Sequence, residues 1–288
     1  MTTRTPARSR PPRDGDAPEY VLGTHEQESN RLGLQNRLWS ASAHQLWERS
    51  ALRPGETVLD VGCGPGHATV ELAEIVGSTG HVLAVDESPL FLKHLQDRVV
   101  ARRLNNVERV LGDAQQLSSL LPQVAGKVDL AYARWVLCFV PDPEAVVRGV
   151  ASLLKPGGRF AVQDYFNYES MSIAPKHEAF TRVILAIGRS WRARGGDPDI
   201  VSRLPAMFRK HGMELQDIRL NQRVARPNST IWAWPDTFWK SYLPRMVEME
   251  TITPAEREAF DAAWQAASRD PDAFMLLPPV FDLVAVKK

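Results

Sequence analysis

Between Thr57 and Tyr165 short apolar strands alternate with helices, and this alternation limits the possible folds more than any other feature of the chain. After the turn Arg53-Pro54-Gly55-Glu56, the run Thr57-Val58-Leu59-Asp60-Val61 reads as a buried strand ending in glycines. His67 to Val76 is helical, Gly80 to Asp86 a second strand, and Ser88 to Arg103 a helix opened by Ser88-Pro89. Val107 to Gly112 and Val128 to Ala133 follow as strands. Pro143 to Leu154 is a helix closed by Lys155-Pro156-Gly157-Gly158, and Arg159 to Tyr165 is a fifth strand. Strands joined by helical crossovers run parallel, so the fold class is α/β, a parallel sheet with helices on both faces.

The flanks are less regular. From His25 to Ser50, Leu32, Leu34, Leu38, Trp39, Leu46 and Trp47 recur at helical spacing without a proline, which predicts one or two helices. The segment before them is rich in Arg, Pro, Gly and Ser and has no apolar signal-like core. Residues 1–18 therefore read as a disordered leader, with order beginning near Tyr20. After Tyr165, Lys176 to Ala193 and Ile200 to His211 look helical, and Met213 to Val224 resembles a long strand. A Trp-, Pro- and Phe-rich segment from Arg226 to Pro279 then precedes a final strand, Val280 to Val286.

Charge and cysteine usage narrow the function. Thirty-five Lys and Arg against 34 Asp and Glu give a formal charge of +1, so no global field attracts nucleic acid. No run approaches the ~18 apolar residues that span a bilayer. Cys63 and Cys138 lie in apolar segments, which suits reduced thiols in a cytoplasmic protein better than a disulfide. Histidines and cysteines are scattered without paired ligand spacing, so no metal site is expected.

The chemistry concentrates at Val58-Leu59-Asp60-Val61-Gly62-Cys63-Gly64-Pro65-Gly66, between a strand and a helix. Glycines there let a ligand reach the backbone N–H groups at the helix start. His67 stands where a dinucleotide fingerprint of the G-x-G-x-x-G type needs its third glycine, and it can touch a cofactor from the loop. Asp86 ends the next strand, placed to accept both hydroxyls of a ribose, and Asp113 follows the third, placed to accept from an adenine amine. Asp86 equally suits a helix cap before Ser88-Pro89.

Asp60 to Gly66, Val85-Asp86, Gly112-Asp113-Ala114 and Leu153-Leu154-Lys155-Pro156-Gly157-Gly158-Arg159 together resemble the successive motifs of class I, Rossmann-like S-adenosylmethionine-dependent methyltransferases of the small-molecule type. The resemblance covers about Leu52 to Tyr165. It implies a seven-stranded, mostly parallel sheet whose last strand is antiparallel and inserted beside the fifth. It also implies that Gly62, Gly64 and Gly66 lie against the methionine part of the cofactor, with Asp60 helping to hold its amino group. Asp86 would then take the ribose, and Asp113 and Ala114 would flank adenine, with Arg134 at the end of the fourth strand among the cofactor contacts. Tyr20-Val21-Leu22-Gly23 with Arg31, Leu32 and Gln35 is similar to a lid helix of many members, in which Tyr20 and Gln35 close over the methionine end; a helix simply packed on the domain fits equally. The implied organisation is a leader at 1–18, a helical lid at 19–50 and a methyltransferase domain at 51–288, with cap insertions at about 166–198 and 226–279.

Methyl transfer is an in-line displacement at a sulfonium, so the site must align an acceptor lone pair and exclude water. Asp164, ending the fifth strand, is the candidate general base, with a turn cap as its other reading. His177 is a second catalytic candidate, in a region that covers the acceptor in related enzymes. Trp232, Trp234, Phe238, Trp239 and Tyr242 suit a cap core and an acceptor surface alike. Ala133-Arg134-Trp135-Val136 lacks the Asn/Asp-Pro-Pro-aromatic motif of nucleic-acid amino methylation, and Cys138 lacks the Pro-Cys setting of a cytosine nucleophile. The acceptor is thus expected to be a natural-product, quinone-like or other metabolite. A non-catalytic relative with a binding or regulatory role, and a nicotinamide-dependent oxidoreductase, are the alternatives.

Overall fold

The computed structural model describes residues 26–288; the leader at 1–18 and Tyr20 lie outside the described residues. Helix α1 (Glu26–Arg49) is continuous and leads into the alternating region. That region runs β1 (Thr57–Val61), α2 (His67–Val76), β2 (His81–Asp86), α3 (Pro89–Ala101), β3 (Val107–Leu111), the short α4 (Leu117–Leu120), β4 (Val128–Arg134), α5 (Pro143–Leu153) and β5 (Leu154–Tyr165). Then come β6 (Ser172–Ala174), α6 (Glu178–Arg192), α7 (Leu204–Lys210), β7 (Met213–Asn221), β8 (Val224–Ala225), α8 (Ala233–Glu248), α9 (Pro254–Arg269), β9 (Phe274–Leu276) and β10 (Val280–Lys287).

Seven strands form one sheet in the order β3-β2-β1-β4-β5-β10-β7. The neighbours from β3 to β5 are parallel, and β10 runs antiparallel between β5 and β7, as the final-strand reading anticipates. β1 and β2 are apolar almost throughout because both of their faces are covered. On one face, Val58, Val82, Leu130 and Val284 pack with Ala43, Leu46 and Trp47 of α1 and with Leu72 of α2. On the other, Leu59, Val61 and Phe160 pack with Val146 and Val150 of α5 and Phe208 of α7. Two local expectations are corrected. The Ile200 to His211 helix is broken at Arg203 into a 3-10 turn and α7, where Pro205 can sit only in a first turn. The long strand from Met213 stops at Asn221, and Val224–Ala225 joins a different sheet.

That second sheet, β6-β9-β8, unites the two insertions into one cap. Ser172 pairs with Leu276 across β6 and β9, and Val224 pairs with Leu276 from the other side. Phe180 of α6 stacks on Phe260 of α9 at 5.5 Å between ring centroids. The cap is thus held by contacts between residues 52 to 104 positions apart in sequence.

Candidate active site

The turn from β1 into α2 forms the floor of a cleft at the C-terminal edge of the parallel strands. Gly64, at φ 55, has nothing among the described residues within 4 Å of where a side chain would start, which leaves room for a ligand against its backbone. Gly62 also lines the cleft, under Val136. Gly66 does not reach it; a Cβ there would collide with Leu95, so this glycine serves loop-to-α3 packing instead of the expected ligand contact.

Three carboxylates stand at three strand ends along this edge. Asp60 is 3 % exposed and accepts from Thr69 Oγ1 at 2.6 Å. Burial pushes its carboxyl up to about 7, against the opposing pull of the Thr69 hydroxyl and the Arg134 guanidinium. Asp86 accepts the Gly64 N–H at 2.7 Å on one oxygen and the Ser88 N–H at 2.9 Å on the other. It therefore braces the glycine loop, while the helix cap on α3 is Ser88, which accepts from Phe91 N–H. Asp113 caps the turn after β3 by accepting the Gln115 N–H at 2.8 Å. All three line the cleft, together with Gln35, Ala114 and Arg134.

Arg134 donates through Nη2 to Asn36 of α1 at 2.7 Å, and its buried Nη1 has no partner among the described residues. An orphaned guanidinium N–H beside Asp60 fits the carboxylate of an amino acid moiety, while Asp60 fits the ammonium. His67 lines the same cleft, and burial with the nearby Arg98 and Arg134 lowers its pKa to about 3, so the ring is neutral. It accepts from Arg98 at 3.2 Å.

A second cavity opens beside the first, with a volume of 510 Å³ counted with its mouth, against 1550 Å³ for the cleft. Gln35, Trp135 and Phe139 line both. Trp135 leaves β4 in the left-handed region at φ 53, which is costly for a bulky residue and marks a constrained site. Its indole lies between Tyr165, at 6.0 Å, and Trp234, at 5.8 Å. From α1, Arg31 binds Glu28 through two hydrogen bonds of 2.6 and 2.7 Å and donates to Gln35 Oε1 at 3.0 Å. The cap closes the far side with Trp191, Phe238 and Trp239.

Both catalytic candidates fall outside these cavities. Asp164 is buried, accepting the Cys138 N–H at 3.2 Å and the Tyr165 N–H at 2.9 Å, with its carboxyl raised to about 6 by burial. Successive strand residues point to opposite sides, so with Tyr165 facing the cavity Asp164 turns beneath the loop after β4 and holds it. His177 is an exposed cap of α6 whose ring accepts from Ala179 N–H. The late aromatics divide: Trp234, Phe238 and Trp239 line the cavity, whereas Trp232 stacks on Trp264 at 4.4 Å and Tyr242 bonds Ser190 in the core. Phe139, Tyr168 and Trp191 escaped the sequence reading; Trp191 lies on the apolar stripe of α6 with Phe180, Ile184 and Ile187, a pattern that marks burial but not a cavity.

A family model described as a methyltransferase domain matches residues 52–211. The chain belongs to this methyltransferase family. S-Adenosylmethionine is its cofactor, and the glycine loop, the three carboxylates and the unpaired Arg134 N–H fit it. The methyltransferase is 28% identical over 176 residues to the ubiquinone/menaquinone biosynthesis C-methyltransferase UbiE of Teredinibacter turnerae, covering 59% of this chain and 69% of that one. It is 36% identical over 156 residues to the 2-phytyl-1,4-naphtoquinone methyltransferase of Synechococcus elongatus, covering 51% and 64%. The chain thus spans about two thirds of the length of these curated relatives. In fold it is similar to geranyl diphosphate C-methyltransferase from Streptomyces coelicolor, with a TM-score of 0.56, 17% identity and coverage of 93% and 89%. It is also similar to the cyclase SpnF, with a TM-score of 0.54, 20% identity and coverage of 85% and 79%.

Proposed function

We propose that this methyltransferase holds S-adenosylmethionine in the cleft and methylates a small molecule lodged in the aromatic cavity. The observation that carries the reading is the junction: the polar cleft and the aromatic cavity lie side by side and share Gln35, Trp135 and Phe139 in their linings. Bound S-adenosylmethionine supplies a methyl group on a sulfonium, open to displacement by an in-line lone pair. Arg134 and Asp60 would hold the amino acid end, Asp86 the ribose, and Asp113 and Ala114 the adenine. Gln35 closes the cleft from α1.

The rest of the chemistry is positioning. Among the described residues no carboxylate or imidazole lines the aromatic cavity, and what those residues offer there is alignment and exclusion of water. The curated relatives support a metabolite acceptor of the quinone-derived kind. Among the described residues no helix is long and apolar enough to cross a membrane. The two free, buried cysteines suit a reducing cytoplasm. The reading is tested by calorimetry with S-adenosylhomocysteine and NAD, followed by transfer of labelled methyl to a panel of reduced naphthoquinones and other phenols. Binding of S-adenosylhomocysteine alone is expected; binding of NAD instead, or of neither, would sink it.

A further inference from the structure

Resting on that reading, we infer that the aromatic cavity receives a planar acceptor through an electron-rich oxygen, a carbonyl or an oxyanion, which the side-chain amide of Gln35 positions. Gln35 Oε1 accepts from Arg31 Nη1 at 3.0 Å and from Trp234 Nε1 at 2.8 Å. Both groups are donors only, so the amide cannot be reversed without setting its NH2 against two N–H groups. Its nitrogen therefore faces away from them and has no protein partner among the described residues, although Gln35 is only 8 % exposed and lines both cavities. The junction carries a donor of fixed orientation.

The surrounding wall has the same polarity. The indole N–H groups of Trp135 and Trp239 are buried without partners among the described residues, while that of Trp191 faces the Tyr242 hydroxyl. Burial pushes the Tyr165 and Tyr168 hydroxyls well up, so both keep their protons. Glu28 does not line the cavity, and its two carboxylate oxygens each receive an N–H from Arg31. An aromatic box of this kind also suits a cation, but Arg31 lines it and already lies over the Phe238 ring at 6.0 Å. A second cation would meet the guanidinium, and a ligand rich in donors would find the side-chain lining already occupied by donors. An oxygen lone pair matches what the wall leaves unpaired.

The experiment uses three probes of similar area on the full chain loaded with S-adenosylhomocysteine: acetonaphthone, methylnaphthalene and naphthylmethylammonium. Calorimetry is expected to show acetonaphthone binding about tenfold more tightly than methylnaphthalene, with the ammonium weakest. Gln35→Glu keeps an oxygen for Arg31 and Trp234 but replaces the free donor by an acceptor. It should weaken acetonaphthone at least about tenfold and leave methylnaphthalene unchanged. Equal affinity of the first two probes, tightest binding of the ammonium, or indifference of acetonaphthone to Gln35→Glu would overturn the inference. The wild-type series decides the matter even if the variant does not fold. Failure of the wild type to bind S-adenosylhomocysteine would strike the functional reading instead, and the probes on the cofactor-free chain would still test the cavity.

Discussion

At Asp60, burial and a neighbouring cation pull the same proton in opposite directions, and burial wins. A carboxyl raised to about 7 from an ordinary 3.8 takes up a proton on folding, so its contribution to stability falls as pH rises from about 4 to about 7. A ligand ammonium beside it favours the ionised form. Affinity for S-adenosylhomocysteine should therefore rise with pH up to about 7, by at most about tenfold per unit, and then level off. Calorimetry across that range checks it, and Asp60→Asn should flatten the slope. Asp86→Ala should cost about 1.5–3 kcal/mol of cofactor affinity, the scale of a hydrogen bond to a charged group. An unchanged affinity would take Asp86 out of the ribose role. Asp164→Asn places an NH2 among the N–H groups that its carboxylate now accepts, so urea denaturation should show a loss of about 1–3 kcal/mol. Turnover should change less than tenfold, whereas a lost general base would cost roughly 10²–10⁴. The acid at 164 was legible as a strand-end carboxylate, but its direction follows from register, which only the paired sheet determines.

The elements divide the same way. Local spacing alone placed α2 at His67–Val76, α3 behind Ser88-Pro89 and β10 from Val280, because each has its own period and its own breakers. The cap is different: β6, β8 and β9 are three residues long or less and among the described residues pair only with one another, so no local pattern announces them. Its aromatics accordingly have two jobs. Trp232→Ala removes the stacked partner of Trp264 and should cost about 3 kcal/mol or more of stability without altering ligand affinity in the folded fraction. Phe238→Ala opens the cavity wall and should weaken acceptor binding while cofactor binding persists. Paired titrations and melts of the two variants separate the roles; identical behaviour would show that the cap aromatics form one undivided core.

Across the whole molecule α1 is tied down at two points along its length, to the centre of the sheet and to its β10-β7 side. Near its middle Asn36 donates to Glu71 of α2 and receives from Arg134 of β4. At its end Arg49 donates to Asp217 of β7 at 2.8 Å and to Asp282 of β10 at 2.6 Å. Asp282 is 1 % exposed and also accepts from Gln163, whose own oxygen accepts from the Tyr132 hydroxyl. Arg49→Ala leaves that buried carboxylate without its cation and should cost about 3 kcal/mol in urea denaturation. No change would mean that α1 is held by its apolar face alone.

The amino-acid sequence by itself determined the strand and helix alternation, the glycine turn and the three acids at the cofactor edge. Each depends on residues within a few positions of one another, where periodicity, turn chemistry and strand ends act locally. Tertiary structure decided the acceptor cavity, the retirement of Asp164 and His177 from it, and the polarity of Gln35. Gln35, Trp135 and Trp234 are up to 199 positions apart, and what brings them together is burial of apolar faces from α1, β4 and α8 against one another. A hydrophobic face states that a residue goes inside, not which neighbours it will meet or on which side of the pleat a carboxylate will lie.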